Sequence, residues 1–361
     1  MNTIKIAIAG IGNCASSLVQ GIFLGKQVPD NIKGLLHQKI GGYSVSDIEI
    51  VTAFDIDSRK VGKDLSEAIF SHPNNTLVFN KNIPKINVRV DRSPTLDGFS
   101  EHMLEYPEEI RFIESPEPAV DVTAILAKTK PDILINYLPV GSQKASEYFA
   151  NCCLEAGVSF INCIPVFICS TSEYASKFKE QNLVCAGDDV KSQVGATIIH
   201  RTLTNLFEKR GVKLNRTYQL NTGGNTDFLN MLERKRLKSK KISKTEAVQS
   251  QLETPLDQKD IHVGPSDFVP WQKDNKLCFI RMEGELFGGA PITLDLKLSV
   301  EDSPNSAGVI IDVIRCVKLA LDRKEFGYLE SVSAFAFKHP AKQFSDDKTF
   351  RLIEQFINPN E

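Results

Sequence analysis

The 361-residue chain has one tryptophan, four methionines and no Cys-x-x-Cys pair among its eight cysteines. It also has no long apolar run. The stretch at residues 4–11 is short and holds Lys5, far below the roughly 18 apolar residues that span a bilayer. The first 25 residues carry no small-residue cleavage pattern, so no signal peptide and no membrane partner are expected, and a cytoplasmic location is. Net charge is nearly absent as well. A formal charge of -2 leaves no overall field to attract nucleic acid. The six histidines show no metal-ligand spacing, and none stands with a serine or cysteine as a nucleophile pair. That argues against acyl transfer and names no metal ligand set. The cysteines sit mostly in apolar segments, and read as reduced, buried small hydrophobes.

What is present is ordinary for a globular chain: 42% hydrophobic and 24% charged residues, enough length for two domains or one elaborated one. Short apolar runs at 4–10, 48–54, 132–139, 158–165 and 183–188 predict buried strands. Helical patterns at 14–24, 142–156 and 171–181 lie between them. That alternation predicts a parallel sheet covered on both faces. Residues 34–47 and 85–121 break the rhythm; the second holds four prolines and is expected to be surface loop and short helix.

The pattern changes near residue 200. A helix at 192–210 and a strand at 212–221 are followed by arms at 277–287 and 292–300 flanking Gly288-Gly289, which predicts an antiparallel hairpin. In the second arm Ile292, Leu294, Leu296 and Leu298 alternate with Thr293, Asp295, Lys297 and Ser299, so one face is buried and the other wet or at an interface. Residues 303–323 predict a helix with Ser303 as cap and Pro304 in the first position. Residues 332–337 read as a last short strand that rejoins the first domain.

Three features carry chemistry. The first is Gly10-Ile-Gly12-Asn-Cys-Ala15, which follows a strand and opens a helix. It fits a dinucleotide turn: the first glycine allows the bend, the second lets backbone approach a pyrophosphate, and the alanine allows close packing. The second is Asp55 at the end of the next strand, placed to bond ribose hydroxyls and to favour NAD over NADP; Asp57 competes for that role. The third is Lys238-Ser-Lys240-Lys241-Ile-Ser-Lys244. Lys240 and Lys244 are four apart and share a helix face, where like charges repel. A bound phosphate or a catalytic lysine gives that crowding a reason; a solvated basic surface is the plain alternative. Gly187-Asp188-Asp189 and Pro139-Val-Gly141-Ser142 fall at strand ends, on the edge where open α/β sheets bind ligands.

Taken in order, Gly10-Ile-Gly12-Asn-Cys-Ala, Asn136-Tyr-Leu-Pro-Val-Gly-Ser142, Gly187-Asp-Asp-Val-Lys-Ser192, Ser239-Lys-Lys-Ile-Ser-Lys244, Asp267-Phe-Val-Pro-Trp271 and Glu301-Asp-Ser-Pro-Asn-Ser-Ala-Gly308 resemble the myo-inositol-1-phosphate synthase family, in its short prokaryotic form. The resemblance implies an α/β fold: a Rossmann-type NAD-binding domain from residues 1–200 and 301–361, and a central α+β substrate and tetramerisation domain from 201–300. It implies cyclisation of glucose 6-phosphate to an inositol phosphate on a recycled, tightly held NAD, and a divalent or monovalent cation as a further option. By position it implies catalytic roles for Lys240, Lys244, Lys276, Lys338, Asn221, Asp227 and Asp302. Gly10, Gly12, Asn13, Cys14, Asp55, Leu138, Pro139, Pro165, Asp189 and Ser192 would hold the cofactor. Lys241, between the matched pair, is expected to face solvent. Another NAD-dependent oxidoreductase with an α+β second domain would instead accumulate NADH. A silent NAD-binding regulator would need one of the four lysines lost, and all four are present.

Overall fold

The computed structural model describes residues 3–29, 31–264 and 267–359; within the helix at 238–249 the side chains of Lys238 and Lys240 lie outside the described set. Strand β1 (Ile4–Ala9) is apolar on both faces because both are covered. Ile6 and Ile8 enter one core, and Ala7 and Ala9 enter the other, as a period of two requires. After β1 come α1 (Asn13–Gln27), β2 (Ile48–Asp55), α2 (Leu65–Ala68) and β3 (Val90–Arg92). Then α3 (Val122–Thr129), β4 (Ile133–Asn136), α4 (Gln143–Ala156), β5 (Ser159–Asn162), α5 (Ser172–Glu180) and β6 (Val184–Gly187) keep the alternation. β3 is an edge strand of three residues inside the segment expected to be mostly loop and short helix.

The central part holds α6 (Ala196–Lys209), β7 (Lys213–Gly223), α7 (Thr226–Asn230) and α8 (Lys238–Gln249). β8 (Ile261–Val263), β9 (Asp267–Phe268), β10 (Asn275–Glu285) and β11 (Pro291–Glu301) complete it. The chain closes with α9 (Asp302–Arg323), β12 (Gly327–Tyr328), α10 (Glu330–Ala336) and α11 (Asp346–Ile357).

Two sheets result. Seven parallel strands run in the order β12-β6-β5-β4-β1-β2-β3, with β12 paired to β6. The order reverses between β1 and β4, and the crevice beyond those two strand ends is where such sheets bind ligands. The second sheet runs β11-β10-β7-β8, with β9 on β7. β10 and β11 form the expected hairpin in full register, and Ile292, Leu294, Leu296 and Leu298 are half-buried while Thr293, Asp295, Lys297 and Ser299 are exposed. The sheet is not wholly antiparallel: β8 and β9 lie parallel to β7.

Two local expectations fail. Residues 332–337 are not a strand: α10 is helical, and Val332, Ser333, Ala334 and Ala336 are its buried residues. A short run of small apolar residues fits either state, and packing decides. The rejoining strand is instead β12, just upstream. The cap of α9 is Glu301, not Ser303, and Pro304 is its third residue. Ser303 has a different task, described below. All eight cysteines are free thiols.

Candidate active site

The cleft opens at the carboxyl ends of β1 and β4, and its walls come from both sheets. Gly10 leaves β1 at φ 89°, where a Cβ would lie 2.7 Å from the Tyr137 carbonyl oxygen. Only glycine accepts that bend and that approach. Beside Gly12 a Cβ would meet nothing within 4 Å, so the open space lies on the cleft side. No side chain caps α1 and no acid stands in its first turn. Its leading N–H groups are therefore offered to an anion.

Asp55 lines the same wall. Its Oδ2 accepts the Ile11 N–H at 2.6 Å, and Oδ1 accepts the N–H groups of Ile56 and Asp57. The rival Asp57 is fully buried and paired with Arg59 at 2.6 Å, away from the cleft lining. Leu138, Pro139, Pro165 and Ser192 form further walls. Ser93, Pro94, Thr95 and Phe112, from the segment read as surface loop, close the cleft at that end.

Of the adjacent acids after β6, only Asp189 faces the cleft. Asp188 is buried and accepts from Asn162, Ile168, Cys169 and Ser170. Asp189 accepts from Lys338 Nζ at 2.7 Å and from Ser243 Oγ at 2.5 Å. It thus ties the C-terminal segment to α8. Lys244, one residue past Ser243, is buried and lines the cleft, whereas Lys241 is exposed, as expected. The side chain of Lys240 lies outside the described residues.

Lys276 near the start of β10 donates to Asp302 Oδ1 at 3.1 Å. Burial alone would lower its ammonium; the charge of Asp302 outweighs that and holds it above the ordinary range. Asp227 also lines the cleft, at the start of α7. Asn221 is not part of the lining. It is buried on β7, beside Cys278 of β10, and its Nδ2 has no hydrogen-bond partner among the described residues.

The residue that sequence reasoning missed is Asp274. It is buried, and five donors converge on it: Asn13 Nδ2, Asn225 Nδ2, Thr76 Oγ1, Ser303 Oγ and the Ser303 N–H. It therefore caps α9 from outside and pins the glycine turn to the central sheet. Burial, reinforced by Asp302, pushes its carboxyl up to about 6. Asn13 also accepts from Asn75 N and Thr76 N, so its side chain is fully committed to holding this loop. The Cys14 thiol, raised to about 12 by burial and by Asp274, is no nucleophile.

The cleft thus brings an uncapped helix start and three lysine side chains into one lining. The family described as Myo-inositol-1-phosphate synthase matches residues 195–303. The inositol-3-phosphate synthase of Mycolicibacterium smegmatis is 50% identical over 360 residues, covering 98% of each chain. The chain belongs to the inositol-3-phosphate synthase family. The Mycobacterium tuberculosis synthase is also 50% identical, over 98% of this chain and 95% of that one. A myo-inositol-1-phosphate synthase-related protein from Thermotoga maritima, 24% identical, has the same fold: TM-score 0.80 over 98% of both chains.

Proposed function

We propose that this cleft converts D-glucose 6-phosphate to 1D-myo-inositol 3-phosphate with NAD and no net redox change, an isomerase reaction. One observation carries the reading: Lys244, Lys276 and Lys338 line the same cleft as Gly10 and Gly12. The residues suit NAD, since an uncapped helix start faces the cleft and Asp55 stands at the second strand end for a ribose. Bound there, NAD supplies a hydride acceptor at carbon 5 of the sugar and later the donor that returns it.

The protein's own groups handle charge and protons. Lys338, set on Asp189, would take the carbon 5 hydroxyl proton as a neutral amine during oxidation and return it as the ammonium during re-reduction. Lys244 would meet the negative charge that enolisation at carbon 6 creates, a role that family position gives to Lys240 as well. Lys276, fixed by Asp302, neutralises the oxygen at carbon 1 when carbon 6 attacks it, or holds the phosphate. Asp227 serves the substrate side, and Asn221, buried on β7 outside the lining, would act on that side only through its neighbours. Asn13, Cys14, Leu138, Pro139, Pro165 and Ser192 shape the cofactor's berth.

Residues 1–200 and 301–361 then form the NAD-binding domain, and 201–300 the substrate and tetramerisation domain. Supporting an oligomer, Tyr218, Leu220 and Phe279 form an exposed apolar strip on the second sheet, and Phe287 at the hairpin tip is wholly exposed. A homotetramer on light scattering is the expected result; a monomer would refute it. No helix among the described residues is long and apolar enough to cross a membrane; the proposed setting is the cytoplasm. For a cation the described residues hold no group of three or more His, Cys, Asp or Glu, and no step above depends on one.

The test is incubation of purified protein with glucose 6-phosphate and a trace of NAD, read by phosphorus NMR. Inositol phosphate is expected. Its absence across NAD and cation conditions would end the enzyme reading.

A further inference from the structure

Lys60 lies behind the glycine turn, fully buried and outside the cleft lining. Its ammonium donates to the carbonyl oxygen of Ile11 at 2.8 Å and to Asn74 Oδ1 at 2.8 Å. The Asn74 amide donates to the same carbonyl at 3.0 Å and to the Ile69 carbonyl at 3.0 Å. The Ile11 N–H is taken by Asp55 at 2.6 Å. Ile11 is the middle residue of the turn, so side chains grip both polar groups of its backbone. Arg59 serves Asp57, so the negative charge that Lys60 chiefly feels is that of Asp55. A charge sealed from water is costly unless paired and hydrogen-bonded. Burial holds the Lys60 ammonium below its ordinary range, an effect that the charges of Asp55 and Asp57 only partly offset.

We propose that Lys60 is a positioning residue for the pyrophosphate of the dinucleotide, an inference that rests on the NAD reading above. It acts in two ways. It keeps the Ile11 carbonyl turned away from the cleft, so that N–H groups rather than an oxygen meet the diphosphate. It also offsets Asp55, which would otherwise set a bare negative charge beside that diphosphate while serving the ribose. Lys60 touches no reacting atom; its effect runs through the backbone of Ile11 and the field behind the turn.

The experiment is calorimetric titration of full-length protein, stripped of nucleotide, with NAD, ADP-ribose and adenosine. For Lys60→Met, NAD and ADP-ribose should bind about ten- to a hundredfold more weakly, the range for a lost hydrogen bond to a charged group. Adenosine, which lacks phosphate, should change by less than about twofold. KM for NAD should rise while kcat at saturating NAD stays within about threefold. Unchanged NAD affinity, or an equal loss for adenosine, overturns the proposal. Should Lys60→Met fail to fold, Lys60→Gln keeps a polar side chain near the Ile11 carbonyl and removes only the charge. It should show the same split at about three- to tenfold, and an unchanged NAD affinity there overturns the proposal too. Wild-type protein that binds no NAD overturns the cofactor reading as well; wild type that binds with an indifferent Lys60 variant overturns this inference alone.

Discussion

On the glycine-turn side of the cleft, the walls are consecutive strand ends of one parallel sheet, and much of what they offer is backbone: a glycine bend, open space at Gly12 and an uncapped helix start. On the lysine side, Lys244, Lys276 and Lys338 arrive on a helix, a strand of the second sheet and the segment after α10. Lys276 is set against Asp302 and Lys338 against Asp189. The first side works by shape and dipole, which a local stretch of chain can encode. The second works by fixed charge, which needs several distant segments brought to one place. Asp274 joins them, since its partners Asn13 and Thr76 belong to the first side and Asn225 to the second.

That division can be broken by experiment. The largest effect is expected at Lys276. Lys276→Met should lower kcat by about 10²–10³, the cost of removing a preorganised charge-stabilising group, and leave the NAD dissociation constant within about threefold. An equal loss of NAD affinity in single-ligand titrations would show that the two sides are not separable.

Asp274 should behave otherwise. Asp274→Asn is expected to weaken NAD and sugar phosphate binding together. It should also alter stability against pH. With its carboxyl raised to about 6 by burial and by Asp302, the folded state holds this proton more tightly than the unfolded chain, whose group titrates near 3.8. The associated stability is present below about pH 4 and is lost as pH rises through about 6, on the order of 2–3 kcal/mol. Urea unfolding of the variant across that window should show a shallower fall than wild type. Part of the slope will remain, because burial also raises Asp312 to about 6 despite its Arg315 partner. Identical slopes in the two proteins would remove Asp274 from this role.

Gly10→Ala sharpens the other side of the comparison. The positive φ and the 2.7 Å approach to the Tyr137 oxygen predict about 1–3 kcal/mol of destabilisation and a matching loss of NAD affinity. Binding of the sugar phosphate itself, measured without NAD, should be nearly unchanged. The smallest effect belongs to Ser243→Ala, which removes the 2.5 Å hydrogen bond to Asp189. Kinetics should show kcat/KM for the sugar phosphate lower by roughly three- to tenfold, with NAD affinity constant.

The same contrast explains what could be read from the chain. The glycine turn, Asp55 and the strand–helix alternation are local patterns, and the structure places each where its pattern predicts. Residues 332–337 misled because a short run of small apolar residues is helical or extended according to what it packs against. The choice between Asp55 and Asp57 needed Arg59, whose ion pair no spacing reveals. Lys276 and Lys338 were placed only through family resemblance; alone, each is a single lysine with no pattern. Asp274 gave no motif, and its importance comes from five donors drawn from four segments. The walls at residues 93–95 and 112 lay in a proline-rich stretch that composition marks as surface.

The most direct measurement uses glucose 6-phosphate deuterated at carbon 5, incubated with far less NAD than substrate. If one cleft both removes and returns the hydride while its lysines manage the charge between, the inositol phosphate keeps the label at that carbon and no NADH accumulates. Product without the label, or NADH formed in step with product, would contradict the account.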